Sequence, residues 1–164
     1  MKNILVTGGC GFIGTNFISH QLNNTNNKIL NLDKLTYSSN LDSGNNLKGN
    51  KHYSFIRTDI CDSNAVKKAF DEFLPDIIVN FAAETHVDRS IDSPSTFVKT
   101  NVFGTLNLLN ISLKYFFENP TFKFLHISTD EVYGSLNSNG KPFIESDPYR
   151  PNSPYSASRL VQII

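Results

Sequence analysis

The sequence lacks tryptophan, has a single methionine and contains only two cysteines, Cys10 and Cys61, among its 164 residues. Two isolated thiols without ligand spacing are typical of a reducing compartment, so we expect neither a metal site nor a disulfide. Net charge is also lacking, because 15 basic side chains balance 15 acidic ones. Nothing in that balance indicates a nucleic-acid partner.

Long apolar runs are lacking as well: none approaches the roughly 20 residues that cross a bilayer. Met1 and Lys2 lead directly into a predicted strand. We therefore expect no membrane segment and no signal peptide, and we expect a cytoplasmic location. At this length the chain is most naturally one domain, residues 1–164, with a core of its own.

A glycine-rich segment, Gly8-Gly9-Cys10-Gly11-Phe12-Ile13-Gly14, follows a short β-rich run at Asn3–Thr7. It fits G-x-x-G-x-x-G and, read from Gly9, G-x-G-x-x-G. Such glycines permit a tight turn and a close approach to a pyrophosphate, and the helix predicted from about Phe12 points its N–H groups at the phosphates. The preceding strand and following helix favour a dinucleotide site over an ordinary glycine-rich turn.

Asp33 ends the next predicted strand, Lys28–Leu32, about 20 residues beyond the last glycine, where a dinucleotide site needs an acid for the adenine-ribose hydroxyls. A carboxylate there repels a 2′-phosphate, so NAD is preferred to NADP. The alternative is an aspartate that only stabilises a turn.

Strands continue to alternate with helices along the chain. We predict further strands over His52–Arg57, Asp76–Phe81 and Phe122–Ser128, a helix N-capped by Ser63 that runs through Phe73, and a short last helix from about Ser153. The fold class is therefore α/β, a Rossmann-like, doubly wound parallel sheet with helices on both faces.

A long helix is predicted from Ser93-Pro94, with proline at its first position. Apolar residues recur along it at helical spacing, and we predict that they form its buried face: Val98, Val102, Leu106, Leu109, Leu113 and Phe116.

The fifth strand leads into the polar stretch Ser128-Thr129-Asp130-Glu131. In open α/β sheets, ligands bind just outside the carboxyl ends of the strands. A hydroxyl beside two carboxyl groups can donate and accept protons on one small substrate there. The alternative is a polar loop that merely caps the strand.

Five segments together carry a resemblance: Gly8–Gly14, Asp33-Lys34-Leu35-Thr36, Ala82–Ser90, Ser128–Gly134 and Pro154-Tyr155-Ser156-Ala157-Ser158. With them the chain resembles the N-terminal half of the dTDP-glucose 4,6-dehydratase family, within the extended short-chain dehydrogenases/reductases. The resemblance runs from Lys2 to about Ser158, and Thr129-Asp130-Glu131 is its most specific part. It implies a chain truncated before the substrate-binding C-terminal half, and a homodimer for the full-length family.

The resemblance also implies an activity: a lyase that recycles NAD while it removes water from dTDP-glucose, a nucleotide sugar, to give a 4-keto-6-deoxy sugar. Tyr155 would take the proton of the 4-hydroxyl, Glu131 the proton at C5, and Asp130 would protonate the leaving 6-hydroxyl. Thr85 and Thr129 would hydrogen-bond the substrate. The implied NAD contacts are Gly8, Gly11, Phe12, Ile13, Gly14, Asp33, Lys34, Leu35, Thr36, Asp59, Ile60, Phe81, Ala82, Ala83, Glu84, Thr85, Thr100, Tyr155 and Arg159.

Arg159 departs from the family, which has a lysine four residues after the tyrosine, where it binds the nicotinamide ribose and lowers the tyrosine pKa. Arginine keeps the charge, but it is planar and bulkier, so the exchange is not conservative. Two alternatives therefore stay open: a non-catalytic, truncated NAD-binding remnant, and another nucleotide-sugar epimerase or decarboxylase of the same superfamily.

Overall fold

A computed structural model describes residues 1–39, 47, 49–136 and 140–163. The chain forms two compact units, the first from Met1–Ala82 with Asn107–Ile127 and the second from Ala83–Leu106 with Ser128–Ile164. Among the described residues, no helix is both long enough and apolar enough to span a membrane.

The first unit is built on a five-stranded sheet of β1 (Asn3–Thr7), β2 (Lys28–Asp33), β3 (Tyr53–Arg57), β4 (Ile77–Asn80) and β5 (Lys123–His126). The strand order is β3-β2-β1-β4-β5, and every pairing is parallel. Val6 of β1, for example, pairs with Asn31 of β2 and with Val79 of β4. The predicted Rossmann-like class is confirmed, and every predicted strand is present with its ends shifted by at most two residues.

Helices pack against this sheet from two sides. α1 (Phe12–Asn24) follows β1, α2 (Ser63–Phe73) follows β3, and α5 (Thr105–Glu118) precedes β5. One buried cluster joins Leu5 of β1 to Phe70 of α2 and Leu108 of α5. The other joins the neighbouring strand residues Ile4 and Val6 to Ile18 of α1. Because successive strand residues point to opposite faces, the two clusters cover opposite faces of the sheet.

The sequence analysis predicted Ser63 as the N-cap of α2, but the structure shows that the N-cap is Asp62. The Asp62 side chain accepts a hydrogen bond from the Ala65 N–H at 3.0 Å. Both residue types cap helices well, and here the aspartate stands three residues before the N–H that it satisfies. The helix ends at Phe73, and its C-cap Leu74 adopts a left-handed conformation just before Pro75.

The second unit contains mainly short helices. These are α3 (Val87–Asp92), α4 (Pro94–Phe97), a π-helix (Val98–Gly104), a 3₁₀ turn (Asp130–Tyr133) and α6 (Pro154–Leu160). The sequence analysis placed Pro94 correctly at the start of a helix and Ser153 before the last one, but it missed α3. Ser153 and Ser156 form a reciprocal capping box, with each side chain accepting the other residue's N–H at 3.0 Å.

The predicted buried face of the long helix is wrong. Five of its six residues, Val98, Leu106, Leu109, Leu113 and Phe116, are 40–56% exposed, and Val102 is half-buried. The buried side chains of this segment are instead Phe97, Thr100, Asn101, Thr105, Leu108 and Ser112. Periodicity locates an apolar stripe but does not tell which side of a helix packs inward. Here four of the six buried side chains are polar, and the apolar pattern does not mark them.

Candidate functional site

The glycine-rich loop between β1 and α1 is held by β2. Three loop N–H groups donate to acceptors of that strand: Gly8 to the Leu32 carbonyl at 2.9 Å, Gly9 to Asn31 Oδ1 at 3.1 Å, and Cys10 to Asp33 Oδ2 at 2.9 Å. From the other side, the Thr15 hydroxyl donates to the Gly9 carbonyl at 2.9 Å. The loop conformation is therefore fixed by the protein itself.

The glycines of the loop serve different purposes. Gly8 has φ +70°, and a Cβ there would lie 2.6 Å from the Ala82 nitrogen; a Cβ at Gly14 would lie 2.5 Å from the Gly8 carbonyl oxygen. The packing of the protein requires these two glycines. Gly11 differs, because its φ is an ordinary −77° and a Cβ would meet only the Gly8 oxygen, at 3.4 Å.

Open space therefore remains in front of Gly11, where α1 begins. Gly11 is the N-cap of α1 and provides no side-chain cap. The first N–H groups of a helix have no partner within the helix, and together with the helix dipole they attract anions. The start of α1 thus fits a phosphate or pyrophosphate group.

Phe12 and Ile13 expose their side chains beside this helix start, at 84% and 62%. With other apolar residues they line an open groove of about 480 Å³ in the first unit, whose walls are Phe12, Ile13, Asn16, Phe17, Val79, Phe81, Leu125 and Ile127. Since both side chains face this groove, a pyrophosphate contact by these two residues would use their backbone N–H groups.

Four of the residues predicted to contact NAD lie at the carboxyl ends of β2 and β3. The buried Asp33 accepts from Leu35 N–H at 2.8 Å through the oxygen that does not hold Cys10. Leu35 has φ +60°, a conformation that residues with a Cβ rarely adopt. Lys34 Nζ lies 4.0 Å from Asp59 Oδ2. Such a backbone outlier beside a converging set of polar groups is typical of a ligand site.

Four further predicted contacts lie at or beyond strand ends of the same unit. Thr36 N–H donates to the Ser39 hydroxyl at 3.1 Å. The buried Ile60 follows β3 and accepts from Asn107 Nδ2 at 2.7 Å. Phe81 and Ala82 follow β4, where the Phe81 ring packs on Phe17 at 5.3 Å.

In the second unit, the two adjacent carboxyl groups lie on a capped turn. Thr129 is its N-cap, and its Oγ1 accepts from Glu131 N–H at 3.3 Å. Val132 is buried, whereas Asp130 is exposed and Glu131 is half-buried. The main chain is thus anchored while both carboxyl groups remain accessible to a substrate.

The segment of residues 143–150, which is not a β-strand, packs against this turn and supports it. Arg150 N–H donates to the Val132 carbonyl at 3.0 Å, and Gly134, with φ +102°, lies so close that a Cβ would be 2.5 Å from the Arg150 oxygen. The Tyr133 ring is stacked with Phe143 at 5.4 Å and with Tyr149 at 5.2 Å. These contacts fix the end of the turn that carries Asp130 and Glu131.

Tyr155 and Arg159 are one helical turn apart in α6, and both are buried. Tyr155 packs edge-on against Phe97, and its N–H donates to the Ser90 hydroxyl at 3.1 Å. Burial lowers the pKa of the Arg159 guanidinium, and the nearby Tyr155 phenol raises it. A phenol and a cation therefore share one face of α6, as the resemblance implied.

Asn101, which the sequence analysis did not single out, connects three parts of this unit. From the π-helix, its Oδ1 accepts from Glu84 N–H at 2.8 Å, and its Nδ2 donates to the Glu84 carbonyl at 3.0 Å and to the Ser158 hydroxyl at 2.8 Å. It thereby holds the segment that carries Ala83, Glu84 and Thr85 and the helix that carries Tyr155. The signal in the sequence that could have identified Asn101 is a polar residue within an apolar helical pattern.

The predicted residues thus fall into two groups. The first unit holds Gly8, Gly11, Phe12, Ile13, Gly14, Asp33, Lys34, Leu35, Thr36, Asp59, Ile60, Phe81 and Ala82. The second holds Ala83, Glu84, Thr85, Thr100, Thr129, Asp130, Glu131, Tyr155 and Arg159. Their individual roles remain predictions.

Comparison with known proteins places this arrangement in a family. A family model described as GDP-mannose 4,6 dehydratase matches residues 5–163. The chain belongs to this family. Among curated relatives of this GDP-mannose 4,6-dehydratase family member, the dTDP-glucose 4,6-dehydratase of Neisseria gonorrhoeae is 47% identical over 163 residues, which are 96% of this chain and 47% of that protein. The predicted resemblance is thereby confirmed.

Solved structures agree with this membership. The dTDP-glucose 4,6-dehydratase of Bacillus anthracis in complex with NAD matches 99% of this chain and 48% of its own, with a TM-score of 0.87 and 42% identity. The dTDP-glucose 4,6-dehydratase of Streptomyces venezuelae, also with NAD bound, matches 98% of this chain and 49% of its own, with a TM-score of 0.88 and 38% identity. This family member spans about half the length of the curated relatives it matches.

Proposed function

We propose that this chain supplies the NAD site and the acid–base groups of a dTDP-glucose 4,6-dehydratase. The observation that carries the proposal is the capped turn with Asp130 and Glu131 in the same compact unit as the buried Tyr155 and Arg159. Elimination of water from a sugar needs one group that accepts a proton and another that donates one. The adjacent carboxyl groups meet that need, and the similarity to the named relatives supports it.

NAD is the cofactor that the first unit fits. The open space at Gly11 and the start of α1 suit a pyrophosphate, with Phe12 and Ile13 binding through their N–H groups. The Asp33 carboxylate suits the hydroxyls of an adenine ribose. When bound, NAD supplies the redox chemistry, because it can accept a hydride and return it.

The chain's own residues then divide the proton transfers. Tyr155, as the phenolate, takes the proton of the sugar 4-hydroxyl and becomes a neutral phenol, with the Arg159 cation one helical turn away. The 4-keto group acidifies C5, where Glu131 removes the proton. Asp130 donates a proton to the 6-hydroxyl as it leaves as water. Thr85 and Thr129 hydrogen-bond the sugar.

The carboxyl pair also separates this proposal from the related epimerase or decarboxylase. Inversion at C4 requires oxidation and reduction at that carbon but no elimination. Inversion therefore does not require the two adjacent carboxyl groups, whereas elimination does, so the pair favours the dehydratase.

The protein's wider organisation follows from the same proposal. Residues 1–164 form the NAD-binding domain of this proposal, and the chain spans about half the length of the relatives it matches. We propose that the protein forms a homodimer, and that the dimer interface buries the exposed apolar face of α5, with Leu109, Leu113 and Phe116. We also propose a cytoplasmic location, which the two isolated thiols Cys10 and Cys61 favour.

The test uses the protein expressed from its complete gene, incubated with NAD and dTDP-glucose. We expect a product lighter by one water, detected by mass spectrometry. Glu131→Gln should abolish this product while NAD binding, measured by titration, is unchanged. Glu118→Gln, at an exposed position at the end of α5, is the matched control and should behave like the unaltered protein. Full product formation by Glu131→Gln would contradict the proposed role.

A further inference from the structure

Asn31 is a polar residue in the middle of a buried strand. It lies between Leu30 and Leu32 in β2 and is fully buried. A buried amide without hydrogen bonds is strongly unfavourable, so the contacts of this side chain indicate why the strand tolerates it. Those contacts lead to the glycine-rich loop.

Every polar atom of the Asn31 amide has a partner. Oδ1 accepts from Gly9 N–H at 3.1 Å, while Nδ2 donates to the Tyr53 phenol oxygen at 3.0 Å and to Cys10 Sγ at 3.4 Å. The loop touches both ends of the amide, and Tyr53 reaches it from β3. A Cβ at Gly9 would overlap Asn31 Oδ1, so the glycine is what permits this approach.

The Gly9 N–H can only donate, so it determines which way the amide faces: Oδ1 toward the loop and Nδ2 toward Tyr53. The Tyr53 phenol oxygen accepts from Nδ2 and holds that end of the amide. In the flipped orientation, two donors, the amide NH₂ and the Gly9 N–H, would face each other. The pair Asn31 and Tyr53 therefore holds the Gly9 peptide in one orientation.

We propose that Asn31, held by Tyr53, is a positioning residue for the dinucleotide: it holds the glycine-rich loop in the conformation that receives the pyrophosphate. The inference rests on the proposed NAD binding. A loop ordered in advance binds its ligand more tightly, because the entropy of ordering it is already lost in the free protein. Asn31 need not touch the cofactor to have this effect.

The first experiment measures amide hydrogen exchange at Gly9 by NMR in the full chain without NAD. In the unaltered protein, Gly9 should be protected by its bond to Asn31. Asn31→Ala should accelerate exchange at Gly9 by about tenfold or more. Val66→Ala, which shortens a buried side chain of α2 away from the loop, controls for a general loss of stability and should leave Gly9 protected relative to its neighbours.

The second experiment measures NAD affinity by titration. Asn31→Ala should weaken binding by about tenfold, whereas Val66→Ala, with a similar loss of melting temperature, should not. Tyr53→Phe removes one hydroxyl from a half-buried ring and keeps the fold. It should weaken binding by roughly two- to fivefold. The double variant should bind as weakly as Asn31→Ala alone, because Tyr53 acts through Asn31.

The results separate the two proposals. Unchanged exchange at Gly9 in Asn31→Ala, or equal NAD affinities in Asn31→Ala and Val66→Ala, would overturn the positioning role. Strictly additive effects of Asn31→Ala and Tyr53→Phe would overturn the part assigned to Tyr53. If the unaltered protein binds no NAD, the proposed function fails, and the exchange experiment still decides whether Asn31 holds the loop.

Discussion

The side chain of Asn101 bonds to the main chain of Glu84 in both directions, accepting from its N–H at 2.8 Å and donating to its carbonyl at 3.0 Å. The amide thus serves as the hydrogen-bonding partner of both main-chain groups of the buried residue Glu84. Asn101→Ala would leave both groups unsatisfied, so it should lower the free energy of unfolding by about 2–4 kcal/mol. Urea unfolding measures this change. A loss below about 1 kcal/mol would show that water replaces the amide.

Substitution by alanine should affect the stability of the protein strongly at Gly8 and hardly at all at Gly11. Gly8→Ala places a Cβ at φ +70° and against Ala82, so it should lower the free energy of unfolding by about 3 kcal/mol or more. Gly11→Ala meets only one atom at 3.4 Å and should change stability by less than about 0.5 kcal/mol.

Gly11→Ala should nevertheless weaken NAD binding by about tenfold, because the methyl group occupies the space in front of α1 that the pyrophosphate needs. Urea unfolding and NAD titration on the same samples separate the two effects. Undiminished NAD affinity in Gly11→Ala would place the pyrophosphate elsewhere.

The thiol of Cys10 should make the protein sensitive to alkaline pH. Burial and the neighbouring Asp33 charge raise the pKa of Cys10 from 9.0 to about 11. Between these values the unfolded chain loses its thiol proton and the folded protein keeps it, so stability declines as pH rises through this window. Below it, the thiol is neutral in both states and contributes nothing.

Burial also raises the pKa of Tyr53, which acts in the same direction. Unfolding midpoints in urea, compared at about pH 8 and about pH 10.5, should fall less for Cys10→Ala than for the unaltered protein. Cys61→Ala is the control. An equal fall for Cys10→Ala and the unaltered protein would mean that this thiol does not carry the effect.

The exposed face of α5 should mediate self-association. Leu113 is 56% exposed, so Leu113→Glu should leave the fold intact but place charge in an apolar interface. We expect sedimentation to show a dimer for the unaltered protein and a monomer for Leu113→Glu. Lys114→Glu, exposed one position further round the helix, should remain dimeric. A dimer that persists in Leu113→Glu would contradict this interface.

Local pattern was sufficient to predict most of the fold. The β-rich runs identified all five strands, and Pro94 and Ser153 marked helix starts, because these features depend on short stretches of chain. The orientation of the long helix was not predictable in this way. It carries an apolar stripe with Leu109 and Leu113 on one side and Leu108 on the other, and only tertiary packing decides which is buried.

The site was predictable where motifs carry it and not where distant residues meet. The glycine loop, Asp33 and the Asp130-Glu131 pair are visible in sequence, since each lies beside its own strand. Asn101 and its π-helix depend on hydrogen bonds to Glu84 and Ser158, far along the chain. Asn31 was detectable as an amide within an apolar strand, but its partner Tyr53 belongs to another strand.

One measurement tests the proposed dehydratase most directly: the fate of a deuterium placed at C4 of dTDP-glucose, followed by mass spectrometry and NMR in the protein expressed from its complete gene. We predict a product that has lost one water and carries the deuterium on C6, since the hydride removed from C4 is returned there. Deuterium found at C4 of a sugar that is inverted at that carbon and has lost no water would contradict it and identify an epimerase.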